Sequence, residues 1–193
     1  MKKVNFLDLN VKPFIPKDNK YSHELFTDKF ARALSKILLI KGVSWNIKNT
    51  QSRVIRGNTL LKVPEGWHIL SFSYGDQKDK VVGHLFFSSS ACSEVLHKLL
   101  GGNDKTPISQ SITGLSQVDK KVLENLNGPI ELCLREGLTP LLLLKDAYII
   151  KSEESFEFKL DESESYFYEE FQTNGLIDGE IHAALKVSAF KKD

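Results

Sequence analysis

Long hydrophobic runs are missing from this chain. The stretch Leu141–Leu144 falls far short of the roughly 18 apolar residues that a membrane-spanning helix needs. The N-terminus carries Lys2 and Lys3, but Asp8, Asn10 and Lys12 interrupt any apolar segment behind them, so no secretory signal is expected. Cysteine is scarce: Cys92 and Cys133 are the two present, far apart and each inside an expected helix, with no CxxC pair. Two buried reduced thiols are therefore expected, with a single disulfide between them as the alternative. Charge of one sign is also absent. Lys and Arg total 26 against 25 Asp and Glu, for a net charge of +1, which removes any global electrostatic case for nucleic acid or an anionic membrane. What remains is an ordinary globular composition, 41% hydrophobic and 26% charged, in 193 residues. That is enough for one domain with a substantial core. A cytoplasmic protein is the expectation.

Residues 1–20 read as an irregular leader, with Pro13 and Pro16 and apolar Leu7 and Phe14 as docking points. Residues 21–193 read as a single domain. A first helix is expected from His23 to Ile40, capped by Ser22 and ended by Gly42, because Phe26, Phe30, Leu34, Ile37 and Leu38 recur at helical spacing. Val43, Trp45 and Ile47 alternate with polar residues as a strand does. A hairpin follows, pairing Trp67–Tyr74 with Val81–Phe87 across Gly75–Asp79. Next comes a short helix, about Ser90 to Leu100, that stops on Gly101 and Gly102 and opens into the polar loop Asn103–Pro107.

After that loop the order repeats. Ser116 and Asp119 make a capping box with Asp in place of the usual Glu or Gln. The helix they open carries Val118, Val122, Leu126, Ile130 and Cys133 as its apolar stripe, is kinked by Pro129 and ends at Gly137. A strand is expected from Leu141 to Ile150, and a second hairpin pairs Tyr166–Gln172 with Ile181–Phe190. Two halves, about 21–105 and 115–193, thus share the order helix, strands, hairpin. They predict an α+β fold with an α/β/α layering: one pseudo-two-fold sheet, two long helices on its faces, and a second repeat truncated where its last helix would begin.

Motifs for catalysis or cofactors are few. Nothing fits GxxxxGK[ST], no GxSxG elbow exists, and His23, His68, His84, His97 and His182 have no metal-ligand spacing. Neither a cofactor nor a metal is expected. Gly101 and Gly102 end a helix, so their amides are not the phosphate-binding kind found at helix starts. By themselves they fit a plain glycine C-cap equally well. One pair stands out: Glu124 and Asn127, three apart and so expected on one face of the second long helix.

Several segments together resemble the middle domain of the FliM family of flagellar switch proteins and their SctQ-type secretion cousins. Phe30-Ala31-Arg32-Ala33-Leu34-Ser35 is similar to the family's "FAR.LS" helix, and Val63-Pro64 to its "LP" step. Leu99-Leu100-Gly101-Gly102-Asn103-Asp104 resembles its "lFGGxG" loop. Leu115 to Leu123 resembles its "fT..E..vi" helix start, and Gly179 to Leu185 its "G.i.l.lP" strand. The match spans about residues 22–190 in the correct order.

The resemblance implies a CheC/CheX/FliM-like fold and a non-enzymatic scaffold in a flagellar switch or type III secretion ring. Such a protein would be cytoplasmic and peripheral at the base of a membrane-embedded complex. It would stand side by side with its copies and bind a FliG-like or SctK-like ring protein. Carried over, the partner surface is Gly101, Gly102, Asn103 and Asp104, with Thr106 and Pro107 beside it. The phosphatases of the CheC and CheX kind use Glu and Asn at the spacing of Glu124 and Asn127. The resemblance therefore also implies an alternative, hydrolysis of a phosphoaspartate on a response regulator. The chain departs from the family pattern in three places. Asp104 stands where the loop has its last glycine, and Lys120 stands where the phosphatase motif has Asp or Ser. The leader lacks the acidic segment that binds phosphorylated CheY. No SPOA domain is expected after the middle domain, and an apolar sheet face is expected to be left uncovered by the truncated repeat.

Overall fold

The computed structural model describes residues 17–58, 61–64, 66–74, 80–105, 108, 115–142, 147–153 and 157–190. The leader up to residue 16, the first hairpin's connection Gly75–Asp79, and Thr106 and Pro107 lie outside the described residues.

Helix α1 spans Lys17–Ile40. It starts earlier than the expected His23, so Ser22 lies inside the helix and not at its N-cap. No glycine or proline separates Lys17 from Ser22, and a helix already nucleated propagates through such a segment. Phe26, Phe30, Leu34 and Leu38 form its buried stripe. The helix ends as expected at Gly42, whose φ is +82°. The Val43 N–H donates to the Leu38 carbonyl at 3.0 Å and the Gly42 N–H to Leu39 at 3.0 Å, a Schellman closure.

The first half continues with β1 (Asn46–Arg56), β2 (Leu61–Lys62), β3 (His68–Tyr74), β4 (Gly83–Phe87) and α2 (Ser89–Leu99). The second half has α3 (Gln117–Glu124), α4 (Asn127–Leu142), β5 (Ala147–Glu153), β6 (Glu157–Phe158), β7 (Ser165–Asn174) and β8 (Asp178–Lys186). A single 3-10 turn, Val187–Phe190, follows where the first half has α2.

The expected kinked helix is in fact two. Pro129 has no N–H, and its ring would collide with the carbonyl of Asn125 in a continuous helix. The chain therefore leaves the helix at Asn125 and Leu126 and restarts at Asn127, which puts Pro129 in the first turn of α4, where proline is tolerated. Gly137 does not end α4, which runs on to Leu142. It instead lets α1 approach. A Cβ at Gly137 would lie 3.0 Å from Phe26 Cδ2 and 3.1 Å from Phe30 Cβ. The strand expected from Leu141 accordingly begins at Ala147.

Six strands form one antiparallel sheet in the order β1-β7-β8-β4-β3-β5. Exchanging each strand with its counterpart in the other half reads this order backwards onto itself, as the pseudo-two-fold expectation requires. The axis passes through the central β4–β8 pair, where Leu85 faces Ala183.

The layering differs from the α/β/α arrangement expected. All four helices contribute to one cluster, which covers the sheet face formed by Leu70, Phe72, Leu85, Phe87, Phe167, Phe171, Ile181 and Leu185. The opposite face carries Ile69, Phe86, Tyr166, Tyr168 and Ala184, packed with Trp67, Val63, Phe158 and Leu160 around the two-stranded β2–β6 ribbon. On this second face the β2–β6 ribbon supplies the apolar cover, burying Phe158 and Leu160 against Phe86 and Tyr166. The sheet face expected to lie open is also covered. Among the described residues the exposed large hydrophobics are Leu39, Ile40, Leu100, Val118 and Leu176, and none lies in a strand. Cys92 and Cys133 are buried free thiols, as expected. Burial pushes the Cys133 thiol up to about 12.

Candidate partner-binding site

The double glycine sits where α2 meets solvent, and α2 is fastened at both ends. At its start, Ser88 Oγ accepts the Ala91 N–H at 3.2 Å, satisfying one of the orphan donors of the first turn. The same oxygen accepts the Glu180 N–H at 2.9 Å, and the Ser88 N–H donates to the Glu180 carbonyl at 2.9 Å. The helix is thereby stitched to β8. Midway along α2, Glu94 is 1% exposed. Its carboxylate accepts the N–H groups of Leu176 and Ile177 at 3.1 and 3.3 Å, so it closes the turn between β7 and β8. Gly175 has no Cβ because one would lie 2.3 Å from Glu94 Oε1.

The far end of α2 closes as a second Schellman motif. The Gly102 N–H donates to the His97 carbonyl at 2.7 Å and the Gly101 N–H to Lys98 at 3.1 Å. Gly101 has φ +87°, so glycine is required there by conformation; a Cβ would meet nothing within 4 Å. Gly102 has a different role, the close approach of a side chain. A Cβ there would lie 2.3 Å from Cε1 of His97, whose ring covers it. His97 Nε2 is 3.0 Å from the Asn103 carbonyl. A carbonyl only accepts, so Nε2 carries the hydrogen. Asn103 Oδ1 in turn accepts the Lys105 N–H at 2.9 Å, an Asx turn. The Lys98 ammonium is paired with the Asp104 carboxylate. Leu100, 66% exposed, stands at the start of this loop with Asp104 exposed beyond it.

Four of the six residues expected at a partner surface, Gly101, Gly102, Asn103 and Asp104, thus share one ordered loop. Thr106 and Pro107 fall outside the described residues. The alternative pair does not keep its expected geometry. Glu124 is the last residue of α3 and Asn127 the first of α4, separated by the break that Pro129 imposes, so they do not lie on one face of one helix.

No motif in the sequence points to the polar cluster on the sheet face away from the helices. Arg53 pairs with Glu170 at 2.7 Å and lies over the Tyr168 ring, 5.1 Å from its centroid. The Tyr168 hydroxyl shares a 2.7 Å hydrogen bond with His182 Nδ1, and the Trp67 ring meets that imidazole edge-on at 4.8 Å. Burial and then the Arg53 charge pull His182 down to about 4, which outweighs the Glu180 carboxylate 3.3 Å from Nε2. Burial raises the Tyr168 hydroxyl and the Glu170 carboxyl. Because the folded His182 is harder to protonate than an unfolded one near 6.5, stability tied to it is present above that value and lost as pH falls towards 4. Urea denaturation at pH 7 and pH 4.5 is expected to show a His182→Gln variant losing less stability than the parent over that interval, by on the order of 2 kcal/mol. Equal losses would mean that His182 does not carry this segment.

Among the described residues no group of His, Cys, Asp and Glu has a metal-holding arrangement, and no helix is long and apolar enough to cross a membrane.

No family model and no curated protein matches the chain. Solved structures do. The FliM middle domain from H. pylori is 17% identical, with a TM-score of 0.72, over 91% of this chain and 95% of that one. A chain in the FliG–FliM complex from H. pylori is 18% identical, with a TM-score of 0.75, over 91% and 98%. The chemotaxis protein CheX from Desulfovibrio desulfuricans is 15% identical, with a TM-score of 0.52, over 86% and 99%. At these identities the likeness is one of fold: the chain has the fold of FliM middle domains and of CheX.

Proposed function

We propose that a chain with this fold acts without catalysis, as an interaction component of a flagellar switch or type III secretion ring. It recognises a FliG-type partner through the loop that closes α2. The observation that supports this most is the construction of the loop. Gly101 turns it, Gly102 brings it against His97, and Asn103 and Asp104 are fixed in an order that leaves Leu100 exposed. A fixed loop with a protruding apolar side chain loses little conformational freedom on binding. The solved FliG–FliM complex contains a chain of the same fold, which supports the choice of partner. The break between Glu124 and Asn127 leaves the phosphatase reading without the shared helix face it assumed.

The test is a calorimetric titration of the chain into a FliG-type protein, repeated with an SctK-type protein. A Gly101→Ser, Gly102→Ser, Asp104→Asn triple variant that still folds is expected to bind a FliG-type protein at least about 30-fold more weakly, the effect of losing a hot spot. Full binding by that folded variant would remove the loop from the interface.

A further inference from the structure

We propose that Lys98 and Asp104, with His97, form a latch that holds the α2 loop in one binding-ready conformation; this rests on the reading of the loop as the partner contact. Four consecutive residues after Gly101 are each tied down. The Gly102 amide is held by the His97 carbonyl, the Asn103 carbonyl by the His97 imidazole, the Asp104 carboxylate by Lys98, and the Lys105 amide by the Asn103 side chain. Three of these ties return to the last turn of α2, to two adjacent residues. The pair is asymmetric. Lys98 has a side chain 12% exposed and so is seated against the body, whereas that of Asp104 is 74% exposed. The buried member is the anchor and the exposed member the part that is held.

The latch accounts for a feature the glycines leave unexplained. Where the resembling loops carry a final glycine, this chain has Asp104, which is less free than glycine to adopt unusual backbone conformations. Here its side chain closes the loop onto the helix end by pairing with Lys98. His97 does related work from the other side. Its ring lies over Gly102, and its Nε2–H holds the backbone just past the glycines. Lys98, His97 and Asp104 are thus positioning residues. They order the loop before a partner arrives, which lowers the entropy lost on binding.

The experiment is residue-resolved hydrogen exchange at Gly102, Asn103, Asp104 and Lys105 in the whole chain, without a partner. Lys98→Met and Asp104→Asn are each expected to speed exchange about two- to fivefold, the range of a partly exposed ion pair, while Lys98→Arg keeps the parent rate. Raising the salt concentration is expected to speed exchange in the parent and not in Asp104→Asn. Unchanged rates in both Lys98→Met and Asp104→Asn would overturn the latch. Titration of the same variants into a FliG-type protein reads the second half of the claim. Weaker binding by Lys98→Met, restored in Lys98→Arg, supports positioning. Faster exchange with undiminished binding overturns it. If the parent itself fails to bind, the partner assignment falls, and exchange alone still decides whether the latch exists.

Discussion

Phe30→Ala is expected to lower the unfolding free energy by about 3–5 kcal/mol, the range for removing a fully buried phenylalanine. Phe30 is 0% exposed and sits where α1, α4 and the sheet meet. Its ring stacks on Phe26 with centroids 5.4 Å apart and tilts against Phe171 at 5.8 Å. Gly137 passes against its Cβ, so the helices are too close for another side chain to move into the space. The cavity would therefore stay open, and the cost would exceed simple loss of buried area. Lys29, exposed on the same helix, supplies the control; Lys29→Ala is expected to change stability by less than about 0.5 kcal/mol. Urea denaturation of both variants checks this. A loss below about 1 kcal/mol for Phe30→Ala would show that α1 is not packed against α4 and the sheet as described.

Glu94→Ala comes next, with an expected loss of about 2–3 kcal/mol. The side chain is buried, and two backbone N–H groups of the β7–β8 turn depend on it. Alanine leaves both donors without their acceptor and opens a void beside Trp45 and Gly175. Glu94→Gln keeps one acceptor oxygen and is expected to lose less. Because Leu176 is 39% exposed, water can reach part of the vacated turn, which holds the expected loss below that of Phe30→Ala. Local exchange at the Leu176 and Ile177 amides distinguishes this account from general destabilisation. Those two amides are expected to exchange fastest relative to the parent. A variant that loses stability with both amides still protected would mean that the carboxylate is not their partner. The same substitution loosens α2 from the hairpin and is expected to weaken partner binding through the loop at its end.

The sequence was most legible where one residue type has a single physical use. The pairing of β3 with β4, the Ser116 and Asp119 box, and the glycines that end α1 and α2 all appear as read. It was least legible where a residue has two uses. Pro129 bends a helix or sits in the first turn of a new one; the choice depended on whether the chain could leave the helix at Asn125. That choice separated Glu124 from Asn127. Gly137 marks a helix end or a close crossing, and only the position of Phe26 and Phe30 decides between them. The role of Glu94 has no local signature, because its partners are backbone amides 82 and 83 residues away. Lys98 and Asp104 are six apart, a spacing that makes no contact along a helix. They meet because the Schellman turn at Gly101 reverses the chain between them. The helices' confinement to one face was hidden for a related reason. The second cover, the β2–β6 ribbon, is made of strands two residues long, too short to leave a periodic pattern.

The proposed partner contact is the loop closing α2. It is tested most directly by hydrogen exchange of the whole chain with and without a saturating FliG-type protein, followed amide by amide. Added protection is expected to concentrate at Gly101 to Lys105, with little change at β1, an edge strand of the sheet. Protection confined to β1 or to the β2–β6 ribbon, with the loop exchanging as it does alone, would contradict it.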